Sequence, residues 1–403
     1  MTLNILTRFI SSKTYDIRVS RNGRWIDQKC APDEISFVAN CVLKYLDDNG
    51  TTTFLSPSVW RSSFAREYVQ GYFSKPDPHN VTATDEYNKF FRQPLKMFSA
   101  AGILSESKPR GNTIVFKVEN RPALEFIAQS DWNAYEFLCL YIEKTLRDSD
   151  LWDPFESFFD VQNSHHYNVV KEAFARFCYK YTPINKPTEA ARIFAKVINP
   201  LACKRRKLGT IGGHISRGKI RFVDLKYNRE NFRDIGKGKD ETRQEASSRM
   251  SAHEFSRWAA HKSSKAKSDV NKFNRTYNGG FTEVPSLHSH GSATQMHHIF
   301  MQSDFPAISD FRENIVALTP TQHMTMAHPD NNTSRIDLEF QRVCLLAKMN
   351  NVKLNLLNHF GQRGFYNFNR LMEVLDVGFG MEVFQDVPEN DFTTVQQMID
   401  AQY

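Results

Sequence analysis

The stretch between Gly291 and Asp330, GSATQMHHIFMQSDFPAISDFRENIVALTPTQHMTMAHPD, constrains the fold of this chain more than any other. Two strand-like segments, Ala293 to Phe300 and Ile315 to Leu318, lead into Thr319-Pro320, a helix-capping hydroxyl followed by the residue suited to the first helical position. The pattern predicts strand, strand, helix. Adjacent strand residues point to opposite faces, so His297 and His298 cannot do the same job. Asn314 opens the second strand, and His323 lies one turn into the helix, where it can turn back toward the strands. His328 comes five positions after His323, about 140° round an ideal α-helix, which leaves two readings. Either the helix distorts before Pro329, or His328 contacts phosphate or supports a ligand from behind.

These residue types suit phosphodiester chemistry. A neutral imidazole, with an ordinary pKa of about 6.5, is a fitting general base for a water nucleophile. Histidines from the strand and the helix can hold a divalent cation with open positions, and such a cation neutralises charge on a phosphate and on its leaving 3′ oxygen. An asparagine between them can bridge backbone across the turn and orient the base. His-His, fifteen residues, Asn, eight residues, His resembles the HNH family of endonucleases, over about 35 of the 403 residues. By motif position His297 resembles the strand metal ligand, His298 the general base, Asn314 the orienting asparagine and His323 the helix metal ligand, with His328 open as a third ligand. The resemblance implies a ββα-metal core at 291–330, one divalent cation, with Mg²⁺ expected and Mn²⁺ or another ion the alternative, and double-stranded DNA as substrate.

Other groups fit this chemistry less well. His165-His166 is a second pair, but no Asn and His follow it at matching intervals. His253, His261, His288 and His290 are expected on a basic surface or in loops, and Asp304, Asp310 and Glu313 as turn residues in preference to ligands. The six cysteines form no C-x-x-C pair, so neither a disulfide framework nor a structural zinc site is expected, and the core must be held by packing.

The net charge of +7 is unevenly spread: Leu201 to Gly280 holds 20 Lys and Arg against 8 Asp and Glu. Such a concentration suits a polyanion surface, because each cation placed on a phosphate releases condensed counterions. Candidate DNA contacts are Lys204, Arg205, Arg206, Lys207, Arg217 and Lys219, with glycines between Gly209 and Gly218 allowing close backbone approach and Tyr227, Phe232 and Trp258 available to pack or stack. The longest apolar run is Phe137 to Ile142, far below the roughly 20 residues a bilayer requires, and the N-terminus lacks a signal-peptide h-region, so a cytoplasmic chain with no membrane contact is expected.

The fold class read from the chain is α+β, multidomain and mostly helical. Residues 1–130 read as three helices (Asp33 to Leu46, Val59 to Phe73, Glu86 to Ala101) and a hairpin (Ile103 to Ser105, Thr113 to Val118), which suggests a winged-helix-like DNA-reading module with Lys108 and Arg110 on its wing. Residues 131–200 form a helical bridge, 201–290 the basic DNA-contacting segment, 291–330 the nuclease core and 331–403 a helical segment. In the last of these, Ile336, Phe340, Val343, Cys344 and Ala347 mark a core helix, and an acidic tail follows from Glu373.

This organisation is similar to HNH-type bacterial type II restriction endonucleases. The resemblance implies a homodimer on DNA and a cognate DNA methyltransferase in the same system. A homing or phage HNH nicking enzyme is the alternative, and a non-enzymatic winged-helix regulator is the alternative from a different class.

Overall fold

The computed structural model describes residues 3–73, 75–109, 113–227, 243–284, 291–328 and 336–403. It is α+β and mostly helical, and it divides into two compact units, Met1–Arg257 and Trp258–Tyr403. Among the described residues no helix is long and apolar enough to cross a membrane.

The first unit begins with α1 (Leu3–Ser11), α2 (Ile17–Ser20) and α3 (Pro32–Asn49). α3 has Pro32 in its first turn with Asp33 and Glu34, and it ends at Gly50, whose φ of 58° is the left-handed geometry that glycine adopts without a Cβ penalty. There follow β1 (Thr53–Leu55), α4 (Ser56–Trp60), α5 (Ser63–Phe73), α6 (Thr84–Ala100), β2 (Leu104–Ser107) and β3 (Val115–Val118). The expected helix Val59 to Phe73 is broken at Arg61-Ser62 into α4 and α5. β3 is the central strand of an antiparallel sheet ordered β1-β3-β2, with Phe116 opposite Phe54 on one side and Glu106 on the other. β1 was not anticipated, although Thr51-Thr52-Thr53-Phe54-Leu55 is a β-branched and aromatic run of the kind that favours strands. Phe37, Phe73 and Phe90 meet edge to face at centroid distances of 4.8 to 6.2 Å and form the centre of this core.

Helices α7 (Arg121–Gln129) and α8 (Asp131–Asp148) start at side-chain caps, Asn120 accepting from Ala123 N–H at 3.0 Å and Ser130 from Asn133 N–H at 3.1 Å. Both pack on α3, so residues on the two sides of position 130 share one core. Next come α9 (Trp152–Val161), α10 (Ser164–Tyr181), α11 (Pro187–Lys204) and a hairpin of β4 (Leu208–Ile211) and β5 (His214–Lys219). The glycines here have structural roles. Gly212 and Gly213, with φ of 60° and 84°, form the two-residue hairpin turn, and a Cβ at Gly209 would stand 2.5 Å from Asn199 Oδ1.

The unit boundary falls within α12 (Arg243–Tyr277). The second unit continues with β6 (Gln295–His298) and β7 (Ile315–Leu318), antiparallel with His297 opposite Val316 and His298 opposite Ile315. After β7 the chain enters a π-helix, Gln322–Ala327, then α13 (Leu338–Leu356), α14 (Phe368–Phe379) and α15 (Phe392–Asp400). α13 buries Phe340, Cys344, Leu345, Met349 and Val352; Val343, expected on that face, is 40% exposed, because the buried stripe runs through 344–345 and 348–349 instead. The acidic tail is part of this core: Asp376 accepts from the backbone of Val383 and Phe384 at 2.9 Å, and Asp400 pairs with Arg342 at 2.6 Å. The ring of Phe300, just past β6, lies so close to α14 that a methyl group at Gly378 would come within 2.3 Å of it.

Candidate metal centre

The site is assembled by two backbone devices. The first is the link between the strands. Asn314, fully buried, accepts from the Phe300 N–H at 2.9 Å and donates to the Phe300 carbonyl at 3.0 Å, while its own carbonyl takes the Ile299 N–H at 2.9 Å. One side chain thus closes the long connection between β6 and β7 and holds the end of β6 in place.

The second device is the helix start. Thr319 Oγ1 accepts from the Gln322 N–H at 3.1 Å, and Gln322 Oε1 accepts from the Thr319 N–H at 3.0 Å, a reciprocal capping box. The signature Thr-x-x-Gln in Thr319-Pro320-Thr321-Gln322 marks the same helix start as the hydroxyl and proline. Gln322 is also tied to the segment before β6, donating to the Val284 carbonyl and accepting from the Thr282 hydroxyl, both at 2.6 Å. The first turn of the helix is therefore anchored to the strands.

From there the helix runs in the π register, and it ends at His328, whose φ of −123° and ψ of 95° are extended. The five-residue interval that an α-helix would have splayed brings two rings together: His323 and His328 have centroids 5.0 Å apart, and His297 stands 5.3 Å from His323 and 5.0 Å from His328. One ring nitrogen from each lies within 4.8 Å of the others. Of the two geometries open for His328, the distorted helix is the one observed. Among the described residues, no carboxylate joins this group.

Burial lowers the pKa of His297 to about 3, with the neighbouring charges of His323, His328, His298 and Lys267 acting in the same direction. Burial and then His328 and Lys267 also lower that of His323. Both rings are neutral near pH 7, with lone pairs available. Nδ1 of His323 is buried without a hydrogen-bond partner, a cost that a bound cation would relieve. Three imidazoles converging from a strand and a short helix therefore fit a divalent cation.

His298, on the next position of β6, is outside this group. Its Nε2 is 2.9 Å from the Ser309 carbonyl and 3.1 Å from Ser263 Oγ, which itself donates to Gln302 Oε1 at 3.1 Å. A carbonyl can only accept, so Nε2 carries the proton and Nδ1 keeps its lone pair. Burial, followed by the charge of Lys267, lowers the pKa of this ring to about 4 against the opposing bond to Ser309. Ser263 had no signal in the sequence, since only the docking of α12 brings it to His298.

Other expected residues are placed differently. Asp304 is an exposed turn residue, as expected, whereas Asp310 and Glu313 are buried and neutralised by Lys262 at 3.0 Å and Arg370 at 2.9 Å. Asp310 lies in a turn and Glu313 in the 3₁₀ segment Arg312–Asn314, and both also serve ion pairs. His165 and His166 lie in the first turn of α10, where His166 bonds to the capping Asn163. His261 lies half-buried on α12. Arg110, Phe232, His288 and His290 lie outside the described residues, as do the side chains of His253 and Trp258.

Of the basic residues, Lys108, Arg217 and Lys219 are exposed. Lys204 stands 3.7 Å from Glu136, and Arg206 and Lys207 are half-buried beyond the end of α11. Arg205 is occupied internally, bonding Glu143 at 2.8 Å and lying over the rings of Trp152 and Phe159. Tyr227 is buried, its hydroxyl accepting from Lys29 at 3.0 Å and Lys75 at 2.6 Å, so it packs and does not present a face to a base.

Comparison with protein-family models, with curated proteins and with solved structures finds no match to this chain.

Proposed function

We propose that this chain is a metal-dependent, site-specific DNA endonuclease of the HNH type, working as a type II restriction enzyme. The observation that carries this reading is the pairing of two histidine environments on adjacent positions of β6: His297 grouped with His323 and His328, and His298 held through Nε2 with Nδ1 unengaged. That division of labour is what hydrolysis by a single bound cation requires.

In the reaction, His297, His323 and His328 would hold a divalent cation through one ring nitrogen each. A divalent cation there supplies Lewis acidity toward the phosphoryl and leaving oxygens. His298 Nδ1 takes a proton from a water, whose oxygen forms the new bond to phosphorus; the bond from phosphorus to the 3′ oxygen breaks, and that oxygen takes a proton from solvent. Ser309 and Ser263 hold the His298 ring during this transfer, and Asn314 fixes the backbone that follows it. The donor set also bears on the ion. Imidazoles without a carboxylate favour Mn²⁺, Ni²⁺ or Zn²⁺ over the Mg²⁺ expected from the resemblance, which prefers oxygen ligands.

A reading module is supported by the first unit, where α3, β1, α4, α5, α6 and the β2–β3 hairpin follow one another as in a winged helix, with β3 central in the sheet. One cation and one base cut one strand, so a clean double-strand break calls for two copies on a two-fold site. Supercoiled plasmid incubated with the protein and Mg²⁺ or Mn²⁺ tests the reading. Discrete linear fragments are expected; accumulation of nicked circles would favour the nicking enzyme, and no cleavage with any ion would favour the non-enzymatic regulator.

A further inference from the structure

Gln302 stands behind the serine that faces His298. Nε2 of His298 is 2.9 Å from the Ser309 carbonyl and 3.1 Å from Ser263 Oγ, and the Ser263 hydroxyl donates to Gln302 Oε1 at 3.1 Å. A hydroxyl has a single proton. Spent on the Gln302 amide oxygen, it leaves Ser263 facing the ring with lone pairs alone, so the Nε2 proton is shared between two acceptors. Were the hydroxyl proton turned toward the ring, Nε2 would have to accept it, and its lone pair would stand against the Ser309 carbonyl. Gln302 therefore decides what the serine offers to the histidine.

The frame around the ring is fixed by charge. Lys262 and Asp310, the chain neighbours of Ser263 and Ser309, form a buried ion pair at 3.0 Å, which ties α12 to the turn that carries the carbonyl. Buried pairs of this kind add little net stability; this one holds the two acceptors of the Nε2 proton in a set relation. Among the described residues no carboxylate bonds the His298 ring, so positive charge that forms on it meets neutral acceptors. An oxygen that is itself donating a hydrogen bond is the stronger acceptor, because successive bonds polarise one another.

We infer that Ser263 and Gln302 are positioning residues for the general base: Gln302 turns the Ser263 hydroxyl so that its oxygen accepts from Nε2 of His298, which keeps Nδ1 free of a proton before the reaction and stabilises the imidazolium after it. No proton moves along this relay. Nδ1 gains one from the attacking water and Nε2 keeps its own. The catalytic half of the inference rests on the nuclease reading; the control of the ring does not.

The test uses the full chain with Ser263→Ala, Ser263→Thr, Gln302→Leu and the double variant Gln302→Leu/Ser263→Ala. Gln302 is half-buried in the turn after β6, so its substitution leaves the strand pair alone. NMR spectra of isotope-labelled histidine nitrogens in the metal-free protein, assigned by the signals lost in His298→Ala, are expected to show the proton on Nε2 alone in the unmodified chain and in Ser263→Thr. Gln302→Leu should add a second form with the proton on Nδ1, since the released hydroxyl can donate to Nε2, and the double variant should lose that form again. In plasmid cleavage with Mn²⁺, Ser263→Ala and Gln302→Leu are expected to lower kcat by about 10-fold or more with KM and Mn²⁺ affinity within a few fold, while Ser263→Thr cuts at close to the unmodified rate. A single unchanged tautomer in Gln302→Leu, or a loss in Ser263→Ala that Ser263→Thr shares, overturns the inference. An unmodified chain that shows the expected tautomers but cuts no DNA with any ion overturns the nuclease reading and the catalytic half with it, and leaves the relay's control of the ring standing.

Discussion

His323 and His328 hold their rings 5.0 Å apart across a five-residue interval because the segment between them is a π-helix. In an α-helix the same interval would turn the second ring about 140° away from the first, whereas i to i+5 pairing stacks the two positions on one face. The spacing is therefore expected to be adjustable in one direction only. Deleting the exposed Thr325 leaves an interval of four, which an ordinary α-turn accommodates, and Mn²⁺ affinity should stay within about tenfold. Inserting an alanine at the same place should cost about 100-fold or more, the scale on which a metal site responds to loss of its supporting groups. Calorimetric titration of both variants checks this, and equal affinities would show that the π register is not what assembles the group.

His298→Ala is expected to abolish cleavage while leaving Mn²⁺ binding and DNA binding within a few fold, since the ring bonds Ser309 and Ser263 and takes no part in the three-histidine group. His165→Ala and His166→Ala, in the first turn of α10, should cut at the normal rate. Plasmid assays beside a gel-shift measurement distinguish these outcomes. Turnover by His298→Ala at the unmodified rate would remove it from the mechanism.

Asn314→Ala should destabilise the second unit by about 2 to 4 kcal/mol, because it strands a buried N–H and a buried carbonyl of Phe300 together. Asn314→Asp keeps an acceptor for the Phe300 N–H but sets a carboxylate against the carbonyl, and should recover only part of the loss. Urea unfolding followed by the fluorescence of unit-specific probes measures both. A loss below about 0.5 kcal/mol for the alanine variant would mean that the strand connection holds itself.

Metal and stability are linked through the same residues. An ion that binds only the folded unit raises its stability by about 2.7 kcal/mol at a free concentration of a hundred times Kd. Three imidazoles predict that Ni²⁺ or Mn²⁺ raises the melting temperature more than Mg²⁺ at equal concentration, and that His323→Ala and His328→Ala each erase the difference. A larger shift with Mg²⁺ would point to oxygen ligands instead.

The first unit should show its own pH dependence through Glu34. Burial raises the pKa of this carboxyl from 4.5 to about 7, so the folded state holds a proton that the unfolded state has already lost. The sign follows: the contribution is present in full below pH 4.5 and is lost as pH rises to about 7 and beyond. Glu34→Gln, which retains an acceptor for the Ala31 N–H, should flatten that decline and gain relative stability at pH 8. Denaturant melts at pH 5.5 and pH 8 would refute this if the difference between the two proteins did not change.

Much of this was legible in the chain because the signals are local. The hydroxyl and proline at Thr319-Pro320 start a helix through groups within four residues of one another. His297, His298, Asn314 and His323 could be picked out by interval, since strand alternation and one helical turn set where each residue lies. β1 is not legible in this way, because a three-residue strand acquires its meaning from the strand it pairs with.

What the sequence alone determined, then, was element order and the spacing of the chemical groups, both governed by backbone sterics and hydrogen bonds that close over a few residues. Tertiary structure decided which groups meet. The π register that admits His328 depends on a capping residue, Gln322, held by Val284 and Thr282, and the charges of Asp310 and Glu313 are spent on Lys262 and Arg370, dozens of residues distant in the chain. Ser263 owes its place beside His298 to the packing of α12. Burial and charge compensation depend on what surrounds a residue in space, and no interval along the chain records that.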